Sequence, residues 1–330
     1  MSTPVTPTRD CRMLAAAQAA YYIDGSGNFN PPSGNAIYNA IQWTSQPVPV
    51  FGTSGLEDED LNACLVGKTA NDGVVVSFRG TLPITSPPTF EEILDWLQDF
   101  LMTPYSNDPI ITGWGSGVAV HAGFWDAIQS IWSGVNTQIQ NLKPTAGNFF
   151  FTGHSKGGPL ASLGAMLWAT ANPSGPLPGI YTFASPRPGN AAFASAFANA
   201  GVTQTRYENT NDMVPLLPPS SSDVSSLTFA IKIAVALGKI DKVWGNVAIA
   251  LLNTIGSWNY STVGTGYLIG PSGSLSPADS AAQWGTVLAT LTSGGDALET
   301  IAAAHCAACP ASACQGGYMT GVCGSTGLCP

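Results

Sequence analysis

The most constraining stretch of this sequence runs from Asn148 to Ala171. Asn148-Phe-Phe-Phe-Thr-Gly153 is a short apolar run bounded by turn residues, the pattern of a fully buried strand. His154-Ser155-Lys156-Gly157-Gly158 follows, and Leu160 to Ala171 is small and apolar, the pattern of a buried helix. A strand, a Gly-x-Ser-x-Gly turn and a helix in direct succession leave little freedom. The chain must reverse sharply at Ser155, and its neighbours two positions away must lack a Cβ for the turn to close. The serine hydroxyl then stands clear of the sheet edge. The N-terminus of the following helix offers N–H groups and the positive end of its dipole to an anion formed there.

The flanking sequence repeats this grammar. Leu61–Thr69 and Val74–Phe78 are β-rich runs around Ala70-Asn71-Asp72-Gly73, a hairpin signal, and Pro47–Phe51 reads as an edge strand. Phe124–Leu142 has helical period. Ile180–Ala184 and Thr203–Glu208 read as strands separated by a helix at Ala191–Ala200, and Met13–Ile23 reads as a first helix. Strands alternating with helices imply parallel βαβ units, hence an α/β fold with a central, mostly parallel sheet and helices on both faces. Leu227–Ile255 reads as two apolar helices joined near Gly238–Gly245, either core helices or a cap over the site. Residues 279–303 read as one closing helix. No linker splits the 330 residues, so a single domain is expected.

Composition removes several functions. The net charge is −9, which argues against a nucleic-acid partner. No apolar run reaches the ~18 residues of a membrane span, so none is expected. Of seven cysteines, five crowd the tail 305–330 (Cys306, Cys309, Cys314, Cys323 and Cys329), while Cys11 and Cys64 stand isolated. The tail is rich in Gly, Ala and Ser and is expected to be held by disulfides; the rival reading is a metal knuckle around Cys306 and Cys309. An odd count leaves one free thiol or an intermolecular bridge. Met13–Ile23, preceded by Arg9 and Arg12, reads as a helix rather than a signal peptide, since the apolar stretch is short and interrupted by Gln18.

A serine is nucleophilic at neutral pH only with a base beside it. The chain has three histidines: His121, His154 and His305. His154 is bonded to Ser155 and is expected to pack under the turn. In this architecture the chain order is serine, acid, histidine, which leaves His305 as the base. The alternative makes His305 a metal ligand beside the tail cysteines or an exposed tail residue. Candidate acids after the serine are Glu208, Asp212, Asp223, Asp241, Asp279, Asp296 and Glu299. Asp212 is best placed, in a tight loop, Asn211-Asp-Met-Val-Pro215, at a strand end.

Five stretches occur together in one order: Phe78-Arg-Gly-Thr81; Val120-His-Ala-Gly-Phe124; Thr152-Gly-His-Ser-Lys-Gly-Gly158; Phe183-Ala-Ser-Pro-Arg-Pro-Gly-Asn190; and Asn209-Thr-Asn-Asp-Met-Val-Pro215. In these the chain resembles the class 3, fungal-type lipases of the α/β-hydrolase superfamily; residues 219–300 match poorly. The resemblance implies a hydrolase that uses Ser155, His305 and Asp212 as its triad. It implies an oxyanion hole from Thr81 and the Lys156 N–H, site support from His121, and a structural role for Arg187. It also implies a lid over 84–105, in which Asp95-Trp96 fits the family pattern and Trp96, Leu97 and Phe100 are apolar; a plain surface helix is the bland alternative. Triacylglycerols are the first expected substrates, at a lipid–water interface. Short-chain, phospholipid and feruloyl esters are alternatives, as is a non-catalytic lipid-binding relative. No cofactor is expected, and a secreted monomer is.

Three departures stand out. Lys156 replaces an apolar residue after the serine and places a cation at a helix N-terminus, where an acidic neighbour is expected. Asp212 and His305 lie 93 residues apart, leaving room for a helical cap at 224–256. His305 sits inside the cysteine cluster.

Overall fold

A computed structural model describes residues 7–54, 60–81, 103–236, 238, 242–293, 297–307 and 317–324. Its centre is an eight-stranded sheet. Strands β1 (Val48–Ser54), β2 (Asp60–Thr69) and β3 (Gly73–Phe78) form an antiparallel meander at one side. From β3 the sheet continues in parallel through β6 (Phe149–His154), β7 (Gly179–Phe183), β9 (Thr203–Asn209) and β11 (Thr265–Ile269). A short antiparallel strand, β12 (Leu275–Pro277), ends it. A second sheet joins four two-residue strands: β4 (Pro104–Tyr105), β5 (Val120–His121), β8 (Gly189–Asn190) and β10 (Tyr260–Ser261).

The strand period of two divides the core into two layers. Val74, Val76, Phe78, Phe149 and Phe151 face one side, where helices Ala122–Leu142 and Gly157–Ala171 pack. Val75 and Phe150 face the other, against the first helix, Arg9–Ala19. On that second face the strands also spend their polar groups: Ser77 Oγ donates to the Ala16 carbonyl at 2.5 Å and Thr152 Oγ1 to the Met13 carbonyl at 3.0 Å. Arg12 reaches the carboxylate of Asp72 through Nε (2.6 Å) and Nη2 (2.8 Å), tying the first helix to the β2–β3 turn. Asp72 is fully buried, so this pair is a fixed fork and not a solvated contact.

Several expectations need correction. The closing helix is two helices, Ser280–Thr292 and Ala297–Ala304. Strands β11 and β12 lie in a stretch that showed no strand pattern. Cys11, isolated in sequence, forms a disulfide with Cys323 in the tail. The tail also holds a helix, Tyr318–Cys323, whose Tyr318 and Met319 are fully buried against the first helix. Cys306 is disulfide-bonded as well, which removes the thiolate a metal knuckle needs. Cys64 is a buried free thiol. The expected pair of apolar helices is present as Val224–Ala236 and Lys242–Gly256, and Gly245 lies inside the second one. A Cβ on Gly245 would come within 2.4 Å of Val235, so the glycine sets their close approach and not their joint. Most of the expected lid at 84–105, with Trp96, Leu97 and Phe100, lies outside the described residues; Pro104–Tyr105 at its end form β4.

Candidate active site

The turn after β6 has the geometry that its glycines predict. Ser155 has φ of 55°, in the left-handed region. Such a backbone is costly for a side chain with a Cβ and persists only where its surroundings hold it. Two bonds hold it here: Ser155 N–H donates to the Phe183 carbonyl at 3.0 Å, and the Ser155 carbonyl accepts from Gly158 N–H at 2.8 Å. A Cβ on Gly153 would lie 2.1 Å from the Gly157 carbonyl oxygen, and one on Gly157 would lie 2.2 Å from that of Phe78. The two glycines therefore let the strand, the turn and the end of β3 come together.

Ser155, His305 and Asp212 form one hydrogen-bonded line. Ser155 Oγ lies 2.9 Å from His305 Nε2, and His305 Nδ1 lies 2.9 Å from Asp212 Oδ2. A carboxylate only accepts, so Nδ1 carries the proton and Nε2 is left to accept from the serine hydroxyl. Asp212 is fully buried, His305 is buried and Ser155 is half-buried. Ser155 comes from the β6 turn, Asp212 from the loop after β9, and His305 from just beyond helix Ala297–Ala304.

The acid is held on both oxygens. Its Oδ1 accepts from Val214 N–H at 2.9 Å, and its Oδ2 accepts from Tyr318 O–H at 2.6 Å besides His305. Tyr318 Oη in turn accepts from Asn209 N–H at 3.0 Å. Burial, with Asp212 nearby, raises the Tyr318 phenol well above its ordinary range, so it stays protonated and donates. Gln283 Nε2 donates to the Asp212 carbonyl at 2.9 Å and fixes the loop backbone.

Beneath the serine, His154 Nε2 lies 2.8 Å from the His305 carbonyl and Nδ1 lies 2.8 Å from Tyr21 Oη. The carbonyl must accept, so Nε2 bears the proton and Tyr21 donates to Nδ1. Burial, reinforced by the charge His305 can carry, pushes the His154 pKa well below 6.5 and keeps the ring neutral. His154 thus ties the backbone of His305 to Tyr21, in the 3-10 turn Ala20–Tyr22 that follows the first helix.

The loop Arg79-Gly80-Thr81 runs beside this cluster. A Cβ on Gly80 would lie 2.1 Å from Tyr21 Oη and 2.8 Å from the His154 carbonyl oxygen. Arg79 anchors the loop by donating to the carbonyls of Ile23 (2.7 Å) and Leu61 (2.5 Å). Thr81, at its end, is exposed. Lys156 opens helix Gly157–Ala171, and its Nζ donates to Asn62 Oδ1 at 3.1 Å, an uncharged acceptor. His121 caps helix Ala122–Leu142, with Nδ1 accepting from Phe124 N–H at 3.3 Å. Arg187 is buried and paired with Asp223 at 2.5 Å.

Residues 75–222, the span that holds Ser155 and Asp212, match the family described as lipase (class 3). Across that span, a little under half of the chain, the sequence is similar to the class 3 lipases. A secreted mono- and diacylglycerol lipase 1 from Fusarium solani is 27% identical over 212 residues, covering 62% of this chain and 57% of that protein. A lipase from Rhizomucor miehei is 30% identical over 166 residues, 49% of this chain and 42% of its own. The chain thus spans about half the length of these curated relatives. Among solved structures, lipase II from Rhizopus niveus superposes with a TM-score of 0.52 over 79% of each chain, at 19% identity. A lipase from Rhizopus microsporus gives 0.51 over 80% of this chain and 76% of its own, also at 19% identity. These likenesses establish an α/β-hydrolase fold.

Tyr318 and Tyr21 escape a reading of sequence alone. The one signal for Tyr318 is an aromatic followed by Met in a tail otherwise made of small residues.

Proposed function

We propose that this chain is a carboxylic ester hydrolase of lipase type that works through an acyl-enzyme on Ser155. The observation that carries the reading is the line Ser155 Oγ–His305 Nε2–Asp212 Oδ2, with 2.9 Å at each step. Ser155 Oγ attacks the ester carbonyl carbon as its proton passes to His305 Nε2. The imidazolium that forms is stabilised by the buried Asp212 carboxylate, which also holds the tautomer that accepts. The carbonyl oxygen becomes an oxyanion, held by the Lys156 N–H at the helix N-terminus and by the Thr81 N–H from the loop after β3. His305 then gives the proton to the departing alcohol. Water attacks the acyl-enzyme, again losing a proton to Nε2, and the acid leaves as Ser155 recovers its own.

Acylglycerols are the substrate class. Three relatives bear mono- and diacylglycerol lipase names that include the word secreted, which supports action outside the cell at a lipid–water surface. The reading takes the chain as one catalytic unit working as a monomer. Initial rates on esters of graded acyl length, measured below and above their solubility limit, test it. A rise in rate above that limit is expected. Flat rates across the limit mark an esterase for dissolved esters. No turnover of any ester, with the protein folded, overturns the reading in favour of a lipid-binding relative.

A further inference from the structure

The helical pair Val224–Ala236 and Lys242–Gly256 falls outside the family span, and the line of hydrogen bonds does not use it. From Phe229 to Ala236 a single residue, Lys232, is polar. A helical stretch this apolar belongs in a protein core or in lipid. This one is only partly in a core. Leu227 and Leu252 join the main core cluster and Ile231 packs against it, but Phe229 is 55% exposed. Ile233, Val235 and Ile249 are half-buried, and Lys232 and Lys242 are exposed.

Charge separates the pair from the rest of the surface. The chain carries −9 overall, yet between 224 and 256 the charged residues are Lys232, Lys239, Asp241 and Lys242. Cations elsewhere are largely occupied within the protein: Arg9 and Arg12 by Asp72, Arg187 by Asp223, Arg206 by Glu208, Arg79 by backbone carbonyls and Lys156 by Asn62. Lys232 and Lys242 thus lie exposed on the same pair as Phe229, the most exposed large apolar side chain among the described residues. That combination is how a helix lies on an anionic lipid surface.

The pair is also fastened beside the site. Asp223, just before its first helix, accepts from Arg187 Nη1 at 2.5 Å and from Trp284 Nε1 at 3.1 Å. The residue before Trp284, Gln283, donates to the Asp212 carbonyl.

We infer that the 224–256 helical pair is a docking element for lipid surfaces bearing anionic head groups, with Phe229 entering the surface and Lys232 and Lys242 facing the head groups. The inference rests on the lipid-hydrolase reading for its purpose, but its test is binding.

The test is flotation of the full chain with Ser155→Ala, which prevents turnover of the lipid, on vesicles of phosphatidylcholine alone or mixed with phosphatidylglycerol. Flotation is expected to be stronger on the mixed vesicles and to weaken as salt rises. In that background Lys232→Gln with Lys242→Gln is expected to lower partition onto mixed vesicles about fivefold for each lysine, and not onto phosphatidylcholine. Phe229→Ser is expected to weaken binding to both. With Ser155 intact, all three substitutions leave the rate on a dissolved short-chain ester unchanged. Variants that float like the parent overturn the docking element and leave the hydrolase reading intact. Variants that lose flotation in a protein that hydrolyses no ester uphold the docking element and overturn the hydrolase.

Discussion

Replacing Tyr318 with phenylalanine removes one oxygen atom from the site and keeps the ring that fills its pocket. That oxygen donates to Asp212 Oδ2 at 2.6 Å and accepts from Asn209 N–H at 3.0 Å, in a fully buried position. A hydrogen bond to a charged group contributes about 1.5–3 kcal/mol, and a buried donor deprived of its acceptor costs about 1–3 kcal/mol. The two effects share one atom and overlap, so a loss of roughly 2–4 kcal/mol of folding stability is expected. The rate should respond more gently. Asp212 retains Val214 N–H on Oδ1 and His305 on Oδ2, so two of its three contacts survive. A fall of about tenfold in kcat/KM, equal to ~1.4 kcal/mol of transition-state stabilisation, is expected. That is far from the ~10⁴-fold associated with losing the acid's function outright. Urea unfolding and initial rates on a dissolved ester read the two numbers. Wild-type values in both refute a positioning role for the hydroxyl. A 10⁴-fold loss of rate refutes the claim that the remaining two contacts keep the carboxylate in place.

The Cys11–Cys323 bridge ties the helix that carries Tyr318 to the first helix. Cys11→Ser with Cys323→Ser is expected to cost about 2–5 kcal/mol in urea unfolding, and unchanged stability would contradict that tie. At the turn, Gly157→Ala forces a Cβ to 2.2 Å from the Phe78 carbonyl oxygen, so ester turnover is expected to disappear with a loss of about 3 kcal/mol or more; a fully active, stable variant contradicts the packing. The depressed His154 pKa has a definite sign. The unfolded chain takes up a proton near 6.5 that the folded chain refuses, so this group removes stability as pH falls below about 6.5, by at most ~1.4 kcal/mol per pH unit. Urea unfolding across that range should show a shallower pH slope in His154→Gln than in the parent, and equal slopes count against the assignment.

What the sequence disclosed, and what it hid, follows from where each segment draws its order. Phe149–Phe151 is buried on both faces, and such a strand reads as an apolar run. Ser155 was legible because its neighbours Gly153 and Gly157 answer a steric demand made within five residues. His305 and Asp212 were legible by chain order and loop placement. Strand β11 was not: Thr265-Gly-Tyr-Leu-Ile269 has a glycine inside and takes its place from pairing with β9, a long-range contact. The two-residue strands of the second sheet are too short to show any period. The break between helices Ser280–Thr292 and Ala297–Ala304 was signalled by Gly294-Gly295, a breaker that the apolar pattern on either side obscured. The tail conceals most. Its order comes from covalent bonds whose connectivity spacing does not specify, so the bridge to Cys11 and the arrival of Tyr318 beside Asp212 left no local trace.

The central claim is that His305 makes the Ser155 hydroxyl reactive, and labelling by a serine-directed phosphonate measures this reactivity at the atom concerned. One equivalent on the peptide that carries Ser155 is predicted, with the labelling rate falling by about 10³-fold or more in His305→Ala while the fold is retained. Label on another residue, or an undiminished rate without the imidazole, would contradict the claim.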